Sequence, residues 1–143
     1  MNLRLRTALA IGVLAAAVSP LTGCYQMGDL QDIAACQAFA AAQTSYDKTA
    51  NSAMAAPDDK AKQLEWMGSW VLFSSGIDAA AGIPNTESLK TELGAYAKVL
   101  KDAGPGASAA TQVEIWKKGY ATKIVKLCND LAAPIKITDL NAK

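Results

Sequence analysis

Apolar residues recur three and four positions apart through four stretches of this chain, and proline or glycine stands between one stretch and the next. The first stretch runs from about Asp29 to Met54, is rich in Ala, and places Leu30, Ile33, Cys36, Ala40 and Gln43 in a helical rhythm that ends before Pro57. Asp58 and Asp59 then put negative charge where the macrodipole of a second helix favours it, and that helix is expected to reach about Ala81, stopped by Gly82 and Pro84. Asn85 or Thr86 caps a third, with Glu87 in its first turn and Leu89, Leu93, Tyr96 and Leu100 on one face, and Gly104-Pro105-Gly106 ends it. Ser108 caps a fourth, whose Val113, Trp116, Tyr120, Ile124, Leu127 and Leu131 fall within a sector of roughly 80°. Beyond Pro134 the alternation Ile135-Lys136-Ile137-Thr138 has no second strand to pair with, so residues 134–143 read as an extended tail.

Four long helices with short connections predict an all-α fold, an antiparallel four-helix bundle. The second helix is unusual in carrying two apolar faces. Leu64, Met67 and Val71 form one; Trp66, Trp70, Phe73 and Ile77 form the other, within about 60°. The Trp66–Ile77 stripe has two readings: core of a helix wedged between neighbours, or a partner or ligand stripe, since Trp and Phe concentrate at binding hot spots.

Upstream of these stretches, Arg4 and Arg6 precede an apolar run from Ala8 to Val18, which has signal-peptide length and is too short to span a bilayer stably. Pro20 breaks any helix there, and Leu21-Thr22-Gly23-Cys24 follows. In these residues the chain resembles the bacterial lipoproteins, whose lipobox ends in a Cys. The resemblance covers the first 24 residues and no specific family is suggested for the rest. It implies a cleaved signal peptide (1–23), palmitate-type acylation at Cys24, and a short lipidated linker (24–28) leading into a helical domain (29–133). It also implies a lipid-anchored, extracytoplasmic place on the bacterial cell membrane or outer membrane, and two acyl chains suffice for stable anchoring.

With Cys24 consumed by lipid, Cys36 and Cys128 are left as an even pair in an oxidising compartment and are expected to form a disulfide. Free buried thiols or a redox pair are the alternative, for which no Cys-x-x-Cys spacing speaks. An up-down-up-down topology brings the start of the first helix beside the end of the fourth, where these two residues lie; parallel helices would hold them tens of ångströms apart.

Removing residues 1–23 from the 143 leaves 120, enough for one modest core. That part has no Arg and no His, and its 12 Lys nearly balance 13 Asp and Glu. Without Arg forks or a basic footprint, nucleic-acid binding is disfavoured. Without His there is no Ser-His or Cys-His pair and no imidazole metal ligand. Asp78 near the Leu64–Val71 face lacks a second catalytic partner. Tyr25, Tyr46, Tyr96 and Tyr120 raise phenolate haem ligation, but no distal polar set accompanies them. No enzyme, cofactor or metal is therefore expected. Lys117, Lys118, Lys123 and Lys126 surround the stripe of the fourth helix, either as a solvated face or as a contact for anionic headgroups or an acidic partner. The function expected is that of an envelope lipoprotein serving as a non-enzymatic interaction or inhibitory module, for example in phage exclusion or envelope assembly, with a membrane and an envelope protein as partners. The alternative is a carrier holding a small apolar ligand beside Trp66–Ile77.

Overall fold

A computed structural model describes residues 27–131 and Ile135; the segment expected to be a signal peptide, Cys24, Tyr25 and nearly all of the tail lie outside the described residues. Five helices follow one another: α1 (Met27–Met54), α2 (Lys60–Ala81), α3 (Glu87–Ala103), α4 (Ala109–Lys117) and α5 (Tyr120–Asp130). Among the described residues there is no strand. The fold is all-helical and bundled, as the periodicity implied.

Most core positions alternate by four and three. On α1 they are Asp32, Cys36, Phe39, Gln43, Tyr46, Ala50 and Ala53, with Ala35 and Asp47 buried beside that line; on α2, Trp66, Trp70, Phe73, Ile77 and Ala80. A mean spacing of 3.5 keeps one seam facing its partner along a shallow crossing, which lets long helices pack over their full length. The seam is largely aromatic, with Phe39 and Tyr46 from α1 and Trp66, Trp70 and Phe73 from α2, and small Ala50 and Ala53 lie towards the end of α1. At Gly76 the two helices come so close that a Cβ there would meet the Ala42 Cβ at 2.9 Å. α1 packs mainly on α2, α2 on α3 and α3 on α5, and α5 closes back on α1.

Helix ends follow the sequence chemistry. The Asp59 carboxylate accepts from the amides of Ala61 and Lys62, and the Ser108 hydroxyl accepts from Thr111. Gly104 ends α3 at φ 75°, a left-handed value that a side chain disfavours. The fourth predicted helix is corrected to two. Gly119, at φ 74°, interrupts it between Lys117 and Tyr120. Its amide donates to the carbonyl of Trp116 and that of Lys118 to Ile115, so the carbonyls at the end of α4 are satisfied by the turn and a new helix starts.

That break rotates the buried line. The sector read through Val113, Trp116, Tyr120 and Leu127 is only half-buried, whereas Gln112, Ile115, Ala121, Ile124 and Cys128 are interior. On α1, Leu30 is exposed, contrary to its place in the predicted face. On α3 all four predicted core residues are buried.

Cys36 on α1 and Cys128 on α5 form a fully buried disulfide with Cα atoms 5.8 Å apart, as the cysteine arithmetic expected. It closes a loop of sequence separation 92. Constraining a loop of that length removes enough unfolded-state entropy to stabilise by about 4–5 kcal/mol, which native strain and residual structure usually reduce. The double variant Cys36→Ala/Cys128→Ala is expected to lose about 2–5 kcal/mol in urea denaturation while keeping its helical circular dichroism.

Candidate functional site

The aromatic stripe of α2 is interior. Trp66, Trp70, Phe73 and Ile77 are each at most 4% exposed. Phe73 stacks on Tyr46 with ring centroids 4.4 Å apart, and Trp70 meets Tyr46 edge-on at 5.8 Å. Phe73 also meets Tyr96 edge-on at 5.9 Å, and Tyr96 stacks on Tyr120 at 5.2 Å. These side chains thus fill one continuous aromatic layer linking α1, α2, α3 and α5.

Polar groups enter that layer and are tied to one another. The Trp66 Nε1–H donates to the Tyr46 hydroxyl at 3.1 Å, which in turn donates to Gln112 Oε1 at 2.7 Å. Gln112 Nε2 donates to the carbonyl of Ala107 at 2.8 Å. The Tyr96 hydroxyl donates to Gln43 Oε1 at 3.2 Å, and Gln43 Nε2 donates to Asp47 Oδ1 at 2.7 Å. Trp70 Nε1–H reaches the carbonyl of Gly104 at 2.9 Å. Buried polar atoms so paired fix which helix faces which, since any other register would leave them unsatisfied. Burial raises the pKa of both phenols, helped by the charge of Asp47, and outweighs the opposing hydrogen bonds from Trp66 and to Gln43. Tyr46 and Tyr96 are therefore held as neutral hydrogen-bond donors inside the core.

Asp32 forms a second buried polar centre, which sequence periodicity did not single out. From the first turns of α1 it accepts hydrogen bonds from the amides of Asn85 and Thr86, at 2.8 and 3.0 Å, and from the Thr86 hydroxyl. The predicted cap Thr86 makes no side-chain bond to its own helix; its hydroxyl serves Asp32 instead. Burial acts to raise the Asp32 pKa, yet the bonds from Thr86 and Asn85 prevail and hold it below the ordinary carboxylate value. The clamp joins α1 to the α2–α3 connection across more than fifty residues of chain.

Of the second apolar face of α2, Leu64 is 73% exposed and Val71 47%, whereas Met67 is half-buried and its sulfur accepts from Gln112 Nε2 at 3.6 Å; Leu72, outside both predicted faces, is 77% exposed. This corrects the picture of a helix wedged in on both sides. Beside Leu72 lies a shallow groove of about 120 Å³ between α1 and α2, lined by Ala42, Ser45, Tyr46, Ser69, Leu72 and Phe73. Asp78 is exposed. Of the lysines, Lys117 pairs with Glu114 at 3.2 Å, Lys123 lies 6.0 Å from the Tyr120 ring centre, and Lys118 and Lys126 are exposed. No group of three or more potential metal ligands occurs among the described residues, and no described helix is long and apolar enough to cross a membrane.

The geometry defines a disulfide-stapled helical domain with a filled aromatic interior. No protein-family model matches the chain, and neither a curated protein nor a solved structure is similar to it.

Two substitutions probe the polar centres. Tyr46→Phe removes the partner of both Trp66 and Gln112 and is expected to destabilise by about 1–3 kcal/mol in chemical denaturation, with little change in helical content. Asp32→Ala is expected to cost about 1–3 kcal/mol at neutral pH. Because the folded pKa of Asp32 is depressed, the part of its contribution that comes from ionisation is complete above the ordinary carboxylate value of 3.8 and is lost as pH falls through the folded value. The stability gap between wild type and Asp32→Ala should therefore narrow on acidification below that pH.

Proposed function

We propose that this chain is a lipid-anchored envelope protein that acts by presenting its surface to a protein partner, with no catalysis of its own. The observation that carries this reading is the use made of the Trp66–Ile77 stripe: its rings are spent on the aromatic layer, so recognition falls to the outside of the bundle. The same packing weighs against the carrier alternative, since the stripe beside which the ligand would sit is closed by its own contacts: Trp66, Trp70, Phe73 and Ile77 are buried, with Trp70 and Phe73 against Tyr46 and Phe73 against Tyr96. In this reading α1, α2, α3 and the α4–α5 unit are the arms of an up-down-up-down bundle.

The lipobox-like Leu21-Thr22-Gly23-Cys24 supports anchoring at Cys24. The disulfide beside the start of α1 then keeps the stapled end of the bundle near the lipid, with the Pro57 and Gly104–Gly106 turns directed away from it. These distal turns are where an incoming protein would be met, in the manner of an inhibitor, a phage-exclusion factor or an assembly component. Tyr25 stands after Cys24 in place of the aspartate that lipoproteins often use for inner-membrane retention, which permits the outer membrane if the host has two.

Two measurements test this. Wild type should incorporate radiolabelled palmitate and sediment with membranes, and Cys24→Ser should do neither; equal labelling of the two would remove the anchor from the account. Cross-linking the full chain in intact membranes should recover a defined envelope protein, with the yield reduced by substitutions in the Pro57–Asp59 turn. Recovery of lipid alone would refute the interaction role.

A further inference from the structure

Three cysteines compete for one bond. Cys36 pairs with Cys128 at a sequence separation of 92, although Cys24 stands only 12 residues before it. Closure probability in a flexible chain falls as about the −3/2 power of loop length, so in the unfolded chain a free Cys24 thiol meets Cys36 about 20-fold more often than Cys128 does. Order of arrival points the same way. A chain exported N-terminus first delivers Cys24 and Cys36 together to an oxidising compartment, ahead of Cys128. Both kinetic factors favour the wrong bond.

The fold has no room for that bond. Cys36 is the tenth residue of α1, and it is fully buried where it meets Cys128 of α5. At 1.5 Å per residue it lies about 13.5 Å along the axis from Met27, whereas a disulfide tolerates roughly 4.4–6.8 Å between Cα atoms. A bond from Cys24, upstream of Met27, would either unwind the first turns of α1 or take the place of Cys128. The first pulls Asp32 away from the amides of Asn85 and Thr86. The second detaches α5, whose Ala121, Ile124 and Cys128 belong to the interior. Once the native bond has formed, its unexposed sulfurs are out of reach of an attacking thiolate, so the partner is chosen before the helices close.

We infer that lipidation of Cys24 precedes oxidation of Cys36 and selects its partner, so that the lipid is the protecting group of the disulfide as well as an anchor. This rests on the lipidation proposed above. The reaction required first is S-alkylation by the diacylglyceryl group of a phospholipid. A C–S bond forms at Cys24, the donor's C–O bond to phosphate breaks, and the thiol proton leaves with the phosphate. The thioether so formed cannot enter a disulfide. Oxidation then takes a disulfide-bearing oxidant: one remaining thiolate attacks it, the other displaces it from the mixed disulfide, and it departs as a dithiol carrying the two electrons. With Cys24 blocked, Cys36 and Cys128 are the only thiols in the chain.

The test uses the full chain in exporting bacterial cells, pulse-labelled, with free thiols alkylated before lysis and the bonds of exported chains mapped by non-reducing peptide mass spectrometry. Gly23→Asp puts a charged residue where the lipobox has a small one and keeps the Cys24 thiol. Among its chains free of palmitate, the Cys24–Cys36 bond should exceed Cys36–Cys128 by at least about 5-fold, with Cys128 recovered alkylated. Adding Cys24→Ser to that variant should restore the Cys36–Cys128 bond to the wild-type yield, which separates misdirected pairing from a fault of the altered leader. Unlabelled Gly23→Asp chains that carry only Cys36–Cys128, or a double variant that does not recover it, would overturn the inference and leave the anchor standing if wild type takes up palmitate. A wild type without palmitate that still forms only Cys36–Cys128 would overturn both.

Discussion

The architecture depends on one side chain, Tyr46, and on the way its ring and its hydroxyl are satisfied together. Its ring stacks on Phe73 and meets Trp70 edge-on, while its hydroxyl accepts from Trp66 and donates to Gln112. A phenol inside an apolar layer is tolerated only where its oxygen is paired, and here the pairing needs α1, α2 and α4 all in their observed positions. The disulfide and the Asp32 clamp act further along α1, tying it to α5 and to the α2–α3 connection. α1 is therefore the axis to which every other helix is referred, with apolar burial giving the bulk of the stability and three polar or covalent ties giving the register.

Much of this was legible in the residues because helix boundaries here are set by local chemistry. Pro57, Pro84 and Gly104 act through their own backbone preferences, and Asp59 and Ser108 through short side chains, so the ends of α1, α2 and α3 were readable from local chemistry. Gly119 was missed because the apolar period runs on across it: at 100° per residue Trp116 and Ile124 stay on one face, and periodicity conceals a turn when both flanking helices point inward. The Lys-Lys-Gly run at 117–119 was the available signal, a basic last turn followed by glycine. Asp32, Asp47 and Gln112 could not be found by a method that counts hydrophobic positions, since each is buried with a polar side chain; their burial is decided by partners more than fifty or sixty residues away or by a neighbour one turn along. The two faces of α2 illustrate the same limit. Both are apolar, and the indoles go in because partners from several elements meet them there: Tyr46 on α1, Tyr96 on α3 against Phe73, and the carbonyl of Gly104 for Trp70.

That division shapes the surface. α2 buries its largest rings and leaves Leu64, Val71 and Leu72 exposed. In the proposed setting the chain offers two distinct surfaces, a stapled end beside the lipid and distal turns for a partner, at opposite ends of the helices, so anchoring and recognition can coexist in one small domain.

The claim on which this picture rests is that the indoles of α2 belong to a closed interior. Hydrogen exchange at the Nε1–H of Trp66 and Trp70, followed by NMR on the full chain, tests it most directly. Both protons should exchange only through global unfolding, and their signals should be unmoved by an apolar probe such as anilinonaphthalene sulfonate. Rapid exchange in the folded protein, or displacement of both signals by the probe, would contradict a filled core and return the stripe to the role of a binding site.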